Sequence, residues 1–176
     1  EAGADCAKFQ LRDMQTLYGD RDEAAEDLGS QYVRDLLRKY SMGPEAMFRA
    51  FDYCHERGIE PLCTPWDLAS LARLERYGMK AYKIASADLT NHELLRAASD
   101  TGQPLIVSTG MSDESEINAS VRLLNDLSAS YVLLHCNSTY PTPFKDVNLA
   151  YMNHLREVSG HFVGYSGHER GYAVPI

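Results

Sequence analysis

Lys8, Gln10, Thr64, Lys83, Ser86, Ser108, Ser138, Tyr140, Ser166 and His168 recur along the chain where short apolar stretches give out. Two lysines and several hydroxyls of this kind could together hold a small, highly charged anion, because an ammonium supplies charge and Ser or Thr supplies short donors. A phosphate-bearing substrate would suit them. Any one Ser or Thr could equally satisfy a loose backbone group at a strand end; the coincidence across six stretches carries the weight. Lys83 taken singly could instead form a Schiff base, since a lysine desolvated on a strand gives up its proton more readily. His168 follows the flexible run Gly164-Tyr165-Ser166-Gly167 and could aim a neutral imidazole at a metal ion, or serve packing alone. His135, inside LLHCNSTYP, reads as a buried, hydrogen-bonded residue beneath the others. His55, His92, His154 and His161 read as surface or packing residues.

The stretches that must position these residues are residues 4–9, 59–64, 81–86, 104–109, 131–137 and 161–166, rich in apolar and β-branched types and bounded by turn formers. They read as strands. Between them lie segments of helical spacing: residues 44–57, with proline at the first position and Met47, Phe48, Phe51 and Cys54 three and four apart, and then 68–77, 92–101 and 114–127. Glycines 58, 78 and 102 close three of them, and Asp113-x-x-Glu116 opens the fourth. Strand starts at 59, 81, 104, 131 and 161 lie 22 to 30 residues apart, the length of one βα unit with a right-handed crossover. Parallel strands as apolar as PLIVSTG and YVLLHC are expected to be buried on both faces. The first connection, residues 10–43, holds a charged stretch at 20–27 and an amphipathic segment at 31–40, read as a surface insertion plus a short helix; it could be a lid or a solvated decoration.

A doubly wound sheet would carry a glycine-rich phosphate turn after its first strand, and AKFQLRDMQT has no glycine. The fold class expected is therefore α/β, a (β/α)8 barrel of which this chain covers about six βα units, with strands missing at both ends. In such a barrel reactive groups stand at the C-terminal strand ends, where the polar residues above fall.

The 176 residues are 44% hydrophobic and 24% charged, enough to bury a core, and carry a formal charge of −8. That charge argues against nucleic acid or an anionic membrane surface as partner, since both need concentrated Lys and Arg. The longest uncharged runs fall short of the roughly 20 apolar residues of a membrane span. Four cysteines with no CxxC pair suggest neither a zinc cluster nor a disulfide framework, and reduced thiols in the cytoplasm are expected.

KFQ at 8–10, YKIAS at 82–86, PLIVSTGMS at 104–112, HCNSTYPTP at 135–143 and GYSGHERG at 164–171 together resemble the sialic acid synthase family in order and approximate spacing. The resemblance runs over essentially the whole chain. It implies a barrel followed by a small antifreeze-like domain, working as a domain-swapped homodimer with a divalent metal, manganese or magnesium. It implies phosphoenolpyruvate and an open-chain N-acetylmannosamine, or a related N-acyl amino sugar, as substrates. On this likeness Lys8, Gln10, Thr64, Lys83, Ser86, Ser108, Ser138 and Ser166 would surround phosphoenolpyruvate, Tyr140 would lie near the sugar and the substrate junction, and His168 would be a metal ligand. The family's first strand, last strand and antifreeze-like domain are expected to lie outside residues 1–176.

Overall fold

The computed structural model describes residues 3–18 and 35–174. They fall into two compact units, Glu1–Met79 and Lys80–Ile176. The charged stretch at 20–27 lies outside the described residues, as does the start of the segment at 31–40, of which residues 35–40 are helical.

The first unit contains β1 (Cys6–Leu11), α1 (Met14–Tyr18), α2 (Pro44–Glu56), β2 (Glu60–Pro65) and α3 (Leu68–Tyr77). Proline at the first position of α2 suits a helix start, where no backbone donor is needed. Met47, Phe51 and Cys54, at the spacings read from the sequence, are its buried face. Phe51 is fully enclosed, edge-on to Phe9 at 5.2 Å and to Tyr77 at 5.1 Å. Complete burial of such a side chain is worth about 1.5–3 kcal/mol. Gly78 ends α3 at φ 90°, a left-handed conformation that costs glycine little and a side chain more. β1 and β2 run parallel, with Lys8 opposite Leu62 and Gln10 opposite Thr64. This pairing continues to Leu11 and Pro65, so β1 runs two residues past the expected 4–9.

Two aspartates join the turn after β1 to α3. Asp67 caps α3, its carboxylate accepting from the Ser70 amide at 2.7 Å, the Ser70 hydroxyl at 2.9 Å and the Asp13 amide at 2.8 Å. Asp13 in turn accepts from the amides of Thr16 and Gln15, at 2.9 and 3.1 Å, and pairs with Arg73 at 2.7 Å. These backbone donors, with the Arg73 guanidinium adding to them, hold the Asp13 carboxyl below its ordinary value of 3.8. A carboxyl lowered on folding stabilises the fold above its unfolded pKa and loses that contribution as pH falls through the lower, folded value. Asp13→Asn keeps an oxygen for these amides but loses the charge, and is therefore expected to cost about 0.3–1 kcal/mol at neutral pH, the range for a carboxylate at a helix start. The gap between wild type and variant should narrow as pH falls below 3.8. Urea unfolding of both proteins from pH 7 to pH 2.5 checks this; a gap that does not change with pH would rule it out.

The second unit contains β3 (Tyr82–Ile84), a 3-10 turn (Ser86–Asp88), α4 (His92–Asp100), β4 (Leu105–Ser108), α5 (Glu114–Asp126), β5 (Tyr131–Cys136), a second 3-10 turn (Phe144–Asp146), α6 (Tyr151–Ser159) and β6 (Val163–Ser166). β3 with β4, β4 with β5, and β5 with β6 are parallel neighbours. The expected capping box is present: Asp113 accepts from the Glu116 amide at 2.9 Å, and Glu116 accepts from the Asp113 amide at 2.8 Å. The strand expected at 81–86 shortens to three residues, because the Asp88 amide donates back to Ala85 and turns the chain. α6 was not legible in the spacing. Only Leu155 and Ser159 are buried on it, too sparse a stripe to register, although Gly160 closes it as a helix stop.

β2 from Pro61 to Pro65 and all of β3 are buried on both faces, as their apolar character suggested, whereas β4, β5 and β6 are not. Leu105, Val107, Tyr131, Leu133 and His135 are buried, whereas Ile106, Val132 and Leu134 on the opposite face are only half-covered. Register puts Lys83, Ser108, Cys136 and Ser166 on that second face, since paired residues of parallel strands point the same way. One face is the core and the other carries the chemistry.

Candidate functional site

Within the second unit, Lys83 stands at the centre of a polar group. Its side chain is 5% exposed, and its Nζ donates to Ser108 Oγ at 2.5 Å and to the Ile84 carbonyl at 2.7 Å. Ser108 is equally buried, at 3% exposure. A buried cation beside a hydroxyl acceptor is a preformed place for an anion, because little reorganisation precedes binding.

Ser86, after β3, has its Oγ 3.5 Å from Cys136 Sγ at the end of β5. Between the turns lies Gly110, just beyond β4. A Cβ built there would strike Ser138 Oγ and lie 2.9 Å from Ser86 Oγ and 3.1 Å from the Cys136 carbonyl. The missing side chain lets these two serines approach one point, and a single methyl would separate them. Ser166 pairs with Cys136 in register at the end of β6.

His168 stands beside this group. Its Nδ1 lies 2.7 Å from the Asn137 carbonyl, which can only accept, so Nδ1 carries the proton and Nε2 carries the lone pair. The Tyr140 hydroxyl sits 3.1 Å from Nε2, with the two rings 4.1 Å apart. Tyr140 is 72% exposed, so the lone pair of His168 is directed toward the open side. Burial, and then the nearby Cys136, raise the Tyr140 hydroxyl above its ordinary pKa of 10, which keeps it a neutral donor near neutral pH. Tyr165, between Ser166 and Gly164, instead donates to Glu169 at 2.7 Å; burial and that carboxylate push it up to about 12. His135 is buried as read from the sequence, its Nε2 donating to the Val147 carbonyl at 2.7 Å.

His168 Nε2 fits a metal as one nitrogen donor. Among the described residues there is no group of three His, Cys, Asp or Glu side chains able to hold an ion. All four cysteines are free thiols.

In the first unit, Lys8 and Gln10 share one face of β1, and Thr64, opposite Gln10, is buried on β2. Gln10 Oε1 accepts from both Arg12, at 2.9 Å, and Trp66 Nε1, at 3.1 Å, while the Arg12 guanidinium lies 4.0 Å over the Trp66 ring. Two donors on Oε1 fix the amide, leaving its NH2 to donate outward. Arg12, Trp66, Gly110 and Cys136 were missed in the sequence reading. The one local signal was a glycine directly after an apolar strand, at Gly110.

Among the described residues no helix is long and apolar enough to cross a membrane. A model of the NeuB family matches residues 1–176. The chain is 35% identical to the N,N'-diacetyllegionaminic acid synthase of Legionella pneumophila, over 99% of this chain and 52% of that one. It is 36% identical to an uncharacterised protein of Methanocaldococcus jannaschii, covering all of this chain and half of the relative. The crystal structure of an N-acetylneuraminic acid (sialic acid) synthetase from Leptospira borgpetersenii is similar with a TM-score of 0.85 at 30% identity, over 98% of this chain and 57% of that one. A 3-deoxy-D-arabino-heptulosonate 7-phosphate synthase from Thermotoga maritima, at 14% identity and a TM-score of 0.60, shares the fold alone. These neighbours put the βα repeats in the (β/α)-barrel class. The chain spans about half the length of the curated relatives it matches.

Proposed function

The chain belongs to the NeuB family, and on that premise we propose that the protein condenses phosphoenolpyruvate with an N-acylated amino sugar, releasing phosphate and forming a nonulosonic acid. The observation that carries the reading is the buried Lys83–Ser108 pair, with Ser86 and Ser138 brought together over Gly110.

In this reading Lys83 and Ser108 bind the anionic end of phosphoenolpyruvate, with Ser86, Ser138 and Ser166 as short donors beside them. Lys8, Gln10 and Thr64 are proposed to contact the same substrate. Carbon 3 of phosphoenolpyruvate forms a bond to the aldehyde carbon of the open-chain sugar. Water then adds to the cation at carbon 2, and the C–O bond to phosphate breaks. The donors matter most at this last step, when charge collects on the leaving phosphate. Tyr140, neutral and exposed, would donate to the sugar's carbonyl oxygen and orient it. We propose His168 as one ligand of a divalent ion, manganese or magnesium, which when bound would polarise the aldehyde as a Lewis acid. A homodimer is proposed as the working assembly.

A second reading makes Lys83 a Schiff-base lysine: a neutral amine that donates its two hydrogens to the Ile84 carbonyl and Ser108 Oγ keeps its lone pair for a substrate carbonyl.

Phosphate release from phosphoenolpyruvate, measured on the full-length protein with manganese and a panel of N-acylated mannosamines and diamino sugars, tests the reading. Release is expected only with both sugar and metal present, and borohydride with pyruvate should trap nothing. A folded, metal-loaded protein silent with every sugar would sink the proposal, and a trapped pyruvyl-lysine would replace it with an aldolase.

A further inference from the structure

Between α2 and α3 lies a cavity of about 480 Å³, wholly within the first unit. α2 contributes Glu45, Phe48 and Arg49 to its walls, and α3 contributes Arg73 and Arg76. It shares no residue with the lysine and serine group, which belongs to the second unit, and none with Lys8, Gln10 and Thr64.

Three guanidiniums and one carboxylate line this space. Cations gathered around one cavity repel each other unless acids stand beside them. Glu45 and Arg49 are four apart on α2, the spacing at which such a pair forms. Yet neither Arg49 nor Arg76 makes a hydrogen bond or ion pair with another described residue. Arg73 is paired, with Asp13 at 2.7 Å, and its side chain remains 33% exposed against 14% for Asp13. A guanidinium has five N–H donors, so this one contact leaves Arg73 able to donate elsewhere.

The chemistry selects a phosphate group. Three arginines less Glu45 leave the lining with an excess of two positive charges, and of one when Asp13 is counted with Arg73. A phosphate balances that excess, and the planar fork of arginine donates to two of its oxygens at once. The volume lies in the range of small-ligand pockets. A long polyanion such as nucleic acid is turned away by the chain's formal charge of −8, so the occupant is a small molecule.

We propose that this cavity binds a phosphate-bearing small molecule, and that Asp13 opposes the ligand by neutralising part of the charge on Arg73. The site is separate from the condensation proposed above and stands or falls without it. Asp13 also holds the turn after β1 through the amides of Gln15 and Thr16. Ligand and ion pair are therefore linked: whatever loosens the Asp13–Arg73 contact strengthens the ligand, and the ligand loosens the contact by the same factor.

Calorimetric titration of the full-length protein with pyrophosphate, in metal-free buffer, tests the proposal. Arg49 and Arg76 are exposed, and glutamine at either position remains a good helix former, so these variants should fold. Arg49→Gln and Arg76→Gln are each expected to weaken pyrophosphate about tenfold, and the double variant about 100-fold, as loss of independent charged donors does. Asp13→Asn should tighten it about threefold, the size of effect of one partly exposed charge. Sulfate at matched ionic strength should bind about tenfold more weakly than pyrophosphate, having one group to offer the three arginines. A folded Lys83→Met protein should keep the wild-type pyrophosphate affinity, which separates the cavity from the other cationic group. No pyrophosphate binding by wild type, equal binding by wild type and the double arginine variant, or loss of binding in folded Lys83→Met would overturn the proposal. Equal affinity for sulfate and pyrophosphate would overturn it too, by reducing the site to a general attraction for anions. Unchanged affinity in Asp13→Asn would overturn the opposing role of Asp13.

Discussion

Lys83→Met is expected to lower kcat/KM for phosphoenolpyruvate about 10³-fold, the size of effect seen when one preorganised donor is removed from a developing charge. Methionine matches the length and apolar volume of the lysine stem, so the buried site keeps its packing while losing the ammonium. The variant should therefore fold, with Ser108 Oγ and the Ile84 carbonyl each losing the hydrogen bond from Nζ. Both the phosphoenolpyruvate KM and kcat should worsen, because the same ammonium would meet the ground-state anion and the departing phosphate. Lys83→Arg is not a mild change here: a planar fork cannot replace a point charge in a space sized for one ammonium. Steady-state phosphate release with circular dichroism as the folding control measures this. Activity within tenfold of wild type in a folded Lys83→Met protein would remove Lys83 from the site.

Gly110→Ala should be nearly as severe for a different reason. The new methyl would strike Ser138 Oγ and lie 2.9 Å from Ser86 Oγ and 3.1 Å from the Cys136 carbonyl, closer than ordinary contacts allow. The two hydroxyls can rotate away, but the carbonyl is backbone and moves only with its turn. Overpacking of this kind costs about 1–3 kcal/mol of stability, and activity is expected to fall at least about 100-fold because the serines are forced apart. The double variant Gly110→Ala with Ser138→Ala separates the two effects. It should recover part of the stability, since the closest clash is gone, yet recover little activity, since the hydroxyl is gone too. Full recovery of activity in the double variant would show that Ser138 is packing alone.

Local structure was legible in short stretches of the chain. Proline at 44 and the box Asp113-x-x-Glu116 set helix starts, Gly58, Gly78 and Gly102 set stops, and the bounds of α3 fall on the residues read from spacing. The order of six strands, with the helices that precede β2, β3, β4 and β5, followed, because a run of apolar residues, a turn and an amphipathic helix are each encoded within a few neighbours. The polar residues at the strand ends were legible for the same reason, since a parallel strand presents its last residues to a loop whatever it packs against. Resemblance in KFQ, STGMS and GYSGH then pointed to the family that the match over residues 1–176 bears out.

Tertiary structure decided what depends on residues far apart in the chain. Lys83 meets Ser108 across 25 positions, Ser86 meets Cys136 across 50, and the tautomer of His168 is set by a main-chain carbonyl 31 positions away. None of these leaves a periodic trace. Which strand face is the core also waits on register, because an apolar run reads the same whether both faces are covered or one is. Gly110 is the clearest case. Its sequence context shows a turn, and only the folded chain shows two serines and a carbonyl crowded around the place where its side chain would be.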